Sequence, residues 1–256
     1  MGFTRQAGTK EGMTDVFSIE KTSLDELVIA LAGNPNTGKS TVFNALTGLH
    51  QHTGNWPGKT VANARGNYRH KDKTFILVDL PGTYSLLASS VEEQIARDFI
   101  CFGKPDATIV VTDATCLERN LNLVLQVMEL TNNVIVCVNL MDEAKRKNIE
   151  VDLKGLSREL SVPVIGTAAR EGTGLKELMD TVYDVSMGII KPVPKRMEYE
   201  EDIEEIIKDT MSKIEQYVKD PVVLRWLALR LIDGDKTIID SIKEYMMADW
   251  EGRGDT

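Results

Sequence analysis

The sequence predicts a doubly wound α/β domain followed by a small all-helical unit. Short apolar runs alternate with helical patterns over most of the chain, and this alternation stops at a segment with two prolines, residues 191–195. The 256 residues are 42% hydrophobic and 27% charged, a composition typical of a globular protein with a buried core. The net charge of −9 argues against nucleic acid as a partner. No uninterrupted apolar run approaches the roughly 18 residues of a membrane span.

Five short apolar runs have the composition of strands that are buried on both faces of a parallel sheet. They are residues 27–31, 75–78, 107–111, 134–138 and 162–165. Helical patterns lie between or beside them at residues 40–46, 91–102, 117–130, 153–160 and 175–183. We therefore assign residues 24–190 to one α/β domain. Residues 1–23 are polar and lack the apolar core of a secretory signal, so we interpret them as a flexible leader.

Residues 191–256 are expected to form the helical unit. Pro192 and Pro194 mark a linker. A first amphipathic helix is indicated by apolar residues at three- and four-residue spacing: Ile203, Ile206, Ile207, Met211, Ile214, Tyr217 and Val218. Asp220 and Pro221 begin a second helix that Gly234 ends, and a third covers residues 236–247. A unit this small is expected to pack on the first domain.

The segment GNPNTGKS, residues 33–40, fits the phosphate-binding pattern G-x-x-x-x-G-K-[ST] between a predicted strand and a predicted helix. In such a loop, main-chain N–H groups and the start of the helix surround the phosphates. Lys39 adds positive charge at the β- and γ-phosphates, and Ser40 offers a hydroxyl to Mg²⁺. The predicted nucleotide-binding residues here are Gly33, Asn34, Pro35, Asn36, Thr37, Gly38, Lys39, Ser40 and Thr41.

A second acidic element, Asp79-Leu80-Pro81-Gly82, follows the predicted strand 75–78. A carboxylate at the end of a strand can hold Mg²⁺ through water. The Gly82 N–H can donate to a γ-phosphate, which makes this loop sensitive to that phosphate. We predict that Asp79 binds Mg²⁺ and that Gly82 takes part in catalysis.

The identity of the base is predicted from Asn139-Leu140-Met141-Asp142, which follows the strand 134–138. A carboxylate can accept hydrogen bonds from both N1–H and N2–H₂ of guanine, and adenine cannot supply that pair of donors. The element resembles the N-K-x-D sequence of GTPases, with Leu140 in place of lysine, which predicts weaker binding and faster GDP release. The predicted base-contacting residues are Asn139, Met141, Asp142, Thr167, Ala168 and Ala169. The order of these elements matches Ras-like GTPases, and an ATPase is the less favoured alternative.

A more specific resemblance is carried by GNPNTGKSTVFNALTG, GNWPGKTV, VDLPGTYSL, DATCLERNL and NLMD. These segments are similar to the cytosolic G domain of FeoB, the family of prokaryotic ferrous iron transport protein B, over about residues 27–178. The resemblance implies a P-loop, Ras-like GTPase fold with a mostly parallel sheet. It also implies that the tail corresponds to the family's helical domain, which resembles a guanine-nucleotide dissociation inhibitor.

The resemblance implies GTP, GDP, Mg²⁺ and K⁺ as ligands, and GTP hydrolysis that regulates or drives Fe²⁺ uptake. Uptake would use a membrane permease domain of the same full-length protein, outside this chain, and this chain would lie at the cytoplasmic face of the inner membrane. The chain itself is expected to be soluble, and homo-oligomer formation is left open. Two alternatives remain: a soluble GTPase associated with RNA or the ribosome, and a non-catalytic GTP sensor.

The resemblance also assigns roles to single residues. Thr60 matches the threonine that ligates Mg²⁺ and senses the γ-phosphate, within a loop, residues 51–65, expected to order with GTP. Asn36 matches the asparagine that ligates K⁺ in potassium-activated GTPases; the alternative is that it only caps the loop. Thr83 stands where Ras-like proteins have a water-orienting glutamine, and it is too short for that task, so intrinsic hydrolysis is expected to be slow.

Several other side chains have ordinary interpretations. The cysteines at 101, 116 and 137 are expected to be buried and reduced. The histidines at 50, 52 and 70 lack the spacing of a metal site. Trp226 and Trp250 are expected in the core, and Trp56 is either a partner-binding anchor or a half-buried aromatic residue.

Overall fold

The computed structural model describes residues 17, 19, 21–48, 51–56, 59–87 and 89–245. The strands are β1 (Glu26–Gly33), β2 (Gln51–Asn55), β3 (Ala62–His70), β4 (Lys73–Asp79), β5 (Ala107–Asp113), β6 (Val134–Asn139) and β7 (Val164–Gly166). The helices are α1 (Lys39–Thr47), α2 (Val91–Phe102), α3 (Leu117–Leu130), α4 (Met141–Arg146), α5 (Leu153–Leu160), α6 (Leu175–Ser186), α7 (Glu201–Ile214), α8 (Pro221–Ile232) and α9 (Lys236–Tyr245).

The strands form one seven-stranded sheet in the order β2-β3-β4-β1-β5-β6-β7. The neighbouring strands β4 and β1, β1 and β5, β5 and β6, and β6 and β7 pair in parallel. Strand β3 is antiparallel to both β2 and β4. Alternate residues of β1 enter different cores: Val28, Ala30 and Ala32 face the side of α2 and α3, and Ile29 and Leu31 face the side of α1 and α6. The predicted mostly parallel α/β fold with helices on both faces is confirmed.

The hairpin of β2 and β3 was not predicted, and residues 51–65 are therefore only partly a loop. Both strands carry many polar residues and glycine, and most described β3 side chains are exposed or half-buried. Such edge strands lack the continuous apolar run that identifies the buried strands. Main-chain pairing with β4, from Ala64 opposite Asp79 to His70 opposite Lys73, holds β3 in place.

Other boundaries differ by a few residues. The last strand is Val164–Gly166 rather than residues 162–165, and Pro163 contributes only its carbonyl, to the Val136 N–H at 2.9 Å. Helix α6 extends to Ser186, and the short helix α4 was not predicted. Helices α2, α3 and α5 have the predicted bounds.

The tail is helical, as predicted. The Asp220 carboxylate caps α8 by accepting from the N–H groups of Val222 (2.8 Å) and Val223 (3.3 Å). On α7, Ile207 is fully buried, but Ile206 remains 53% exposed, and Tyr217 and Val218 lie beyond the helix. Within the described part of the chain, α7 therefore buries only part of its apolar stripe.

The tail packs on the first domain on the side of α2 and α3. The buried Arg97 of α2 donates to the hydroxyls of Thr237 (2.8 Å) and Ser241 (2.7 Å), both within α9. Trp226 is buried, as expected, whereas Trp250 and residues 246–247 lie outside the described residues. None of the helices built from the described residues has the length and apolar composition of a transmembrane span.

Cys101 and Cys137 are buried as expected, and burial raises the pKa of the Cys137 thiol to about 12. The prediction is wrong for Cys116, which is exposed. Cys116 is the N-cap residue of α3, in the short connection that follows β5.

Candidate nucleotide-binding site

The loop between β1 and α1 is shaped by two residues with positive φ. Gly38 has φ +78°, and a Cβ at this position would collide with Nδ2 of Asn139. Asn36 has φ +68° and is exposed. The Thr37 hydroxyl donates to the Asn34 carbonyl at 2.9 Å, which closes the turn. The backbone thus curves as a phosphate-binding loop must, with Lys39 and Ser40 in the first turn of α1.

Lys39 lies at the centre of this site. It is 8% exposed; its Nζ forms an ion pair with the Asp79 carboxylate and donates to the Leu80 carbonyl at 2.6 Å. Burial raises the pKa of the Asp79 carboxyl, and the nearby Lys39 charge opposes that effect without cancelling it. A further cation beside Asp79 would stabilise its charged form. The exposed Ser40 hydroxyl and the Asp79 carboxylate are oxygen groups of the kind that Mg²⁺ prefers.

Residues 79–87, which we call the DLPG loop, pass beside the phosphate-binding loop. The Thr83 N–H donates to the Gly33 carbonyl at 3.3 Å, and a Cβ on Gly82 would lie 3.5 Å from the Pro35 nitrogen. Gly82 is exposed, whereas Thr83 is 4% exposed. The structure therefore brings Gly82 next to the phosphate-binding loop and keeps the Thr83 side chain largely away from solvent.

The predicted base-binding elements meet at the opposite end of the loop. Asn139 is 1% exposed; its Oδ1 accepts from the Thr167 hydroxyl and from the Ala169 N–H, each at 3.1 Å, and its Nδ2 donates to the Thr37 carbonyl at 3.0 Å. Asn139 thus joins the phosphate-binding loop to residues 167–169. Neither this bracing role nor the burial of Thr167, Ala168 and Ala169 is evident from the motif alone.

Asp142 is the acidic residue that the sequence predicts to contact the base. It lies in the first turn of α4, is partly exposed and pairs with Arg146 at 3.2 Å. Met141 is half-buried, and its N–H donates to the Thr167 carbonyl at 3.1 Å. Leu140 has φ +63°, and its Cδ2 lies 3.8 Å from the position of a Cβ on Gly38. The leucine therefore lies against the phosphate-binding loop, where GTPases usually have the lysine stem.

The other residues singled out from the sequence differ in exposure and in contacts. Thr60 is exposed, and Thr41 is half-buried in α1. Trp56 is 1% exposed and contacts the rings of Phe17 (5.7 Å between centroids) and Phe99 (5.5 Å), so it is a core residue rather than an exposed anchor. His70 pairs with Asp180 at 2.8 Å, and the described residues contain no cluster of three potential metal-ligating side chains. His50 and the His52 side chain lie outside the described set.

Gln126 and Arg119 of α3 hold the DLPG loop against that helix. No sequence motif predicts this role for either residue. The Gln126 Oε1 accepts from the Leu86 N–H at 2.6 Å and from the Ser85 hydroxyl at 3.2 Å. The Arg119 guanidinium lies 4.5 Å from the centroid of the Tyr84 ring. These contacts depend on which face of α3 meets the loop.

A phosphate-binding loop, an acidic loop beside it and a base-reading element, all at one edge of a mostly parallel sheet, define the G-domain class of P-loop proteins. The family model for ferrous iron transport protein B matches residues 27–182, and the model for the FeoB cytosolic helical domain matches residues 199–251. The chain belongs to the FeoB family.

Similar proteins include whole iron transporters and solved cytosolic domains. A "Fe(2+) transport protein A/Fe(2+) transporter FeoB fusion protein" of Porphyromonas gingivalis is 39% identical over 214 residues, 81% of this chain and 25% of that protein. The Fe(2+) transporter FeoB of Escherichia coli K12 is 37% identical over 224 residues, 83% of this chain and 27% of that protein. The cytosolic domain of T. maritima FeoB in a GDP form is 36% identical, with TM-score 0.77, covering 87% of this chain and 86% of that chain. This chain thus spans about a quarter of the length of these curated transporters.

Proposed function

We propose that this chain binds and hydrolyses GTP and that its nucleotide state regulates or drives Fe²⁺ uptake through a membrane permease domain outside this chain. The observation that carries the proposal is the buried Lys39, whose amine pairs with Asp79 beside the phosphate-binding loop, together with Asn139, which joins that loop to the element carrying Asp142. The lysine is placed for phosphates, and the aspartate for the guanine edge. The GDP form of the T. maritima relative supports the same choice of base.

Different residues are proposed to bind the phosphates, to bind Mg²⁺ and to contact the γ-phosphate. Main-chain N–H groups of residues 36–39 and the Lys39 amine bind the phosphates, and Gly82 donates its N–H to the γ-phosphate. Ser40, Asp79 and Thr60 are the proposed Mg²⁺ ligands, directly or through water, and bound Mg²⁺ would offset phosphate charge. The attacking water must be oriented by groups other than the short, buried Thr83. We therefore expect slow intrinsic turnover.

The burial of Thr83 also favours a second candidate, a sensor that binds GTP without hydrolysing it. The two functions differ in multiple-turnover phosphate release, which only the GTPase supports. The regulatory role is tested in the whole transporter by Fe²⁺ uptake into cells. Lys39→Met in that protein should abolish nucleotide-dependent uptake while the protein still reaches the membrane. Unchanged uptake would mean that Fe²⁺ transport does not depend on nucleotide binding at this site.

Asn36 is the proposed K⁺ ligand, and its replacement should remove potassium stimulation. The side chain is exposed beside the phosphate-binding loop, and its amide carbonyl is a suitable oxygen ligand. With K⁺ bound there, charge developing on the phosphates would be partly neutralised. In Asn36→Ala, phosphate release in KCl should fall to the rate in NaCl at equal ionic strength.

The matched control is Asn67→Ala, which removes the same side chain from an exposed position of β3. It should retain the wild-type ratio of rates in the two salts. If Asn36→Ala keeps that ratio as well, Asn36 only shapes the loop and the potassium proposal is wrong.

Leu140→Lys should slow GDP release by about tenfold. A lysine at this position can reach the carbonyls of the phosphate-binding loop, and one hydrogen bond from a charged donor contributes about 1.5 kcal/mol. Displacement of a fluorescent GDP analogue by excess GDP measures the rate. Ile206→Lys, which places the same charge on the exposed face of α7, is the control and should release GDP at the wild-type rate. Equal release rates in all three proteins would contradict this account of Leu140.

A further inference from the structure

Asn34 has a side chain that the phosphate-binding role does not use. It is 2% exposed, and neither its Oδ1 nor its Nδ2 has a hydrogen-bond partner among the described residues. Its neighbours in the loop are occupied: the Thr37 hydroxyl bonds to the Asn34 carbonyl, and Asn139 bonds to the Thr37 carbonyl. A buried carboxamide without partners is unfavourable, so such a group calls for an explanation.

The alternation of side chains along β1 indicates which side of the sheet the Asn34 side chain faces. Ala32 belongs to the core on the side of α2 and α3, and Gly33 is the last residue of the strand. Asn34 is the first residue after the strand, and an alternation continued from Ala32 would put its side chain on the side of α2 and α3. That placement would put the buried carboxamide on the side of the DLPG loop rather than toward the phosphates.

Contacts on both sides of Asn34 confirm that the DLPG loop is close. Gly33, before it, accepts from the Thr83 N–H at 3.3 Å. Pro35, after it, lies 3.5 Å from the position of a Cβ on Gly82. The buried amide thus sits between the two points at which the DLPG loop meets the phosphate-binding loop.

The other end of the DLPG loop is held in a different place. Gln126 binds Leu86 and Ser85, and Arg119 stacks on Tyr84. If Gly82 moves toward a γ-phosphate, the main chain of residues 82–84 shifts relative to the phosphate-binding loop, and its N–H and carbonyl groups need new partners. The Asn34 carboxamide offers one donor group and one acceptor at that place.

We propose that Asn34 is a positioning residue for GTP hydrolysis: with GTP bound, its buried carboxamide hydrogen-bonds the main chain of the DLPG loop and places Gly82 against the γ-phosphate. Gln126 holds the same loop in the competing position seen here. This inference rests on the proposed GTPase function. The hydrogen bonds of the Asn34 side chain then depend on whether the γ-phosphate is present, although this side chain does not touch the nucleotide.

The test compares Asn34→Leu, which has similar volume and no polar atoms, with the wild-type chain. Dissociation constants are measured for fluorescent GDP and for a non-hydrolysable GTP analogue in Mg²⁺, together with kcat and KM for GTP. We expect GDP affinity within twofold of wild type, at least tenfold weaker binding of the analogue, and at least tenfold lower kcat. Without nucleotide, the variant should melt no lower than wild type, because the replaced group has no partner to lose.

Two further variants test the role of Asn34 and of the contact between Gln126 and the DLPG loop. Asn34→Ala replaces the leucine variant if that protein does not fold, with the same expected split between GDP and the analogue. Gln126→Ala frees the loop from the competing position and should tighten the analogue about threefold relative to GDP. Equal weakening of GDP and analogue by the Asn34 variants, or no change in either, overturns the inference while leaving the GTPase proposal intact. Failure of the wild-type chain to bind or turn over GTP overturns both.

Discussion

Asp142→Asn is expected to change the preferred base from guanine to xanthine. The Asp142 carboxylate can accept from N1–H and N2–H₂ of guanine, whereas an asparagine amide places a donor where xanthine carries a carbonyl. Loss of two hydrogen bonds to a charged acceptor weakens GTP binding by about 3 kcal/mol or more, at least about a hundredfold. Competition of GTP, xanthosine triphosphate and ATP against a fluorescent GDP analogue measures the change, and xanthosine triphosphate should bind most tightly to the variant.

Glu143→Gln is a closely matched control. Glu143 is the next residue of α4 and lies 3.5 Å from the same Arg146 that pairs with Asp142. The substitution removes one negative charge and keeps the shape of the side chain, and it should leave the order GTP, xanthosine triphosphate, ATP as in wild type. A similar loss of GTP affinity in both variants would mean that local charge, rather than base recognition, is responsible.

Lys39→Met is expected to reduce the affinity for GTP and GDP by at least about a hundredfold. The buried amine is the side-chain cation placed for the β- and γ-phosphates, and two charge-assisted hydrogen bonds contribute about 3 kcal/mol. The substitution also removes the ion pair of Asp79, whose pKa burial already raises. We therefore expect the Asp79 carboxyl to be protonated more readily in the variant. Titration with fluorescent nucleotides measures the affinity.

Lys73→Met is the control for general charge effects. Lys73 forms an ion pair with Asp25 at 2.8 Å, away from the phosphate-binding loop. Its loss should change nucleotide affinity by less than about twofold, because surface pairs contribute little. Wild-type affinity in Lys39→Met would contradict the assignment of the site.

The buried strands and the phosphate-binding loop could be predicted from the sequence because their signals are local. The run 134–138 is apolar throughout, and the glycines and lysine of residues 33–40 stand in one short segment. The helix bounds of α2 are equally local, since the Ser90 hydroxyl accepts from the Glu93 N–H at its start.

Features that depend on distant contacts could not be predicted. The β2–β3 hairpin is held by main-chain pairing with β4, which leaves no hydrophobic pattern in residues 51–65. The exposure of Cys116, the burial of Trp56 and the bracing role of Asn139 follow from how separate segments meet. The isolated carboxamide of Asn34 is likewise evident only once the DLPG loop is placed beside it.

The central claim is that this chain hydrolyses GTP with guanine selectivity. Multiple-turnover phosphate release, measured with excess GTP or excess ATP in Mg²⁺ and KCl, tests it directly. We expect more than one phosphate per chain from GTP at a slow rate, at most a background rate from ATP, and loss of the GTP signal in Lys39→Met. Tight GTP binding without turnover would contradict the claim and identify the chain as a nucleotide sensor.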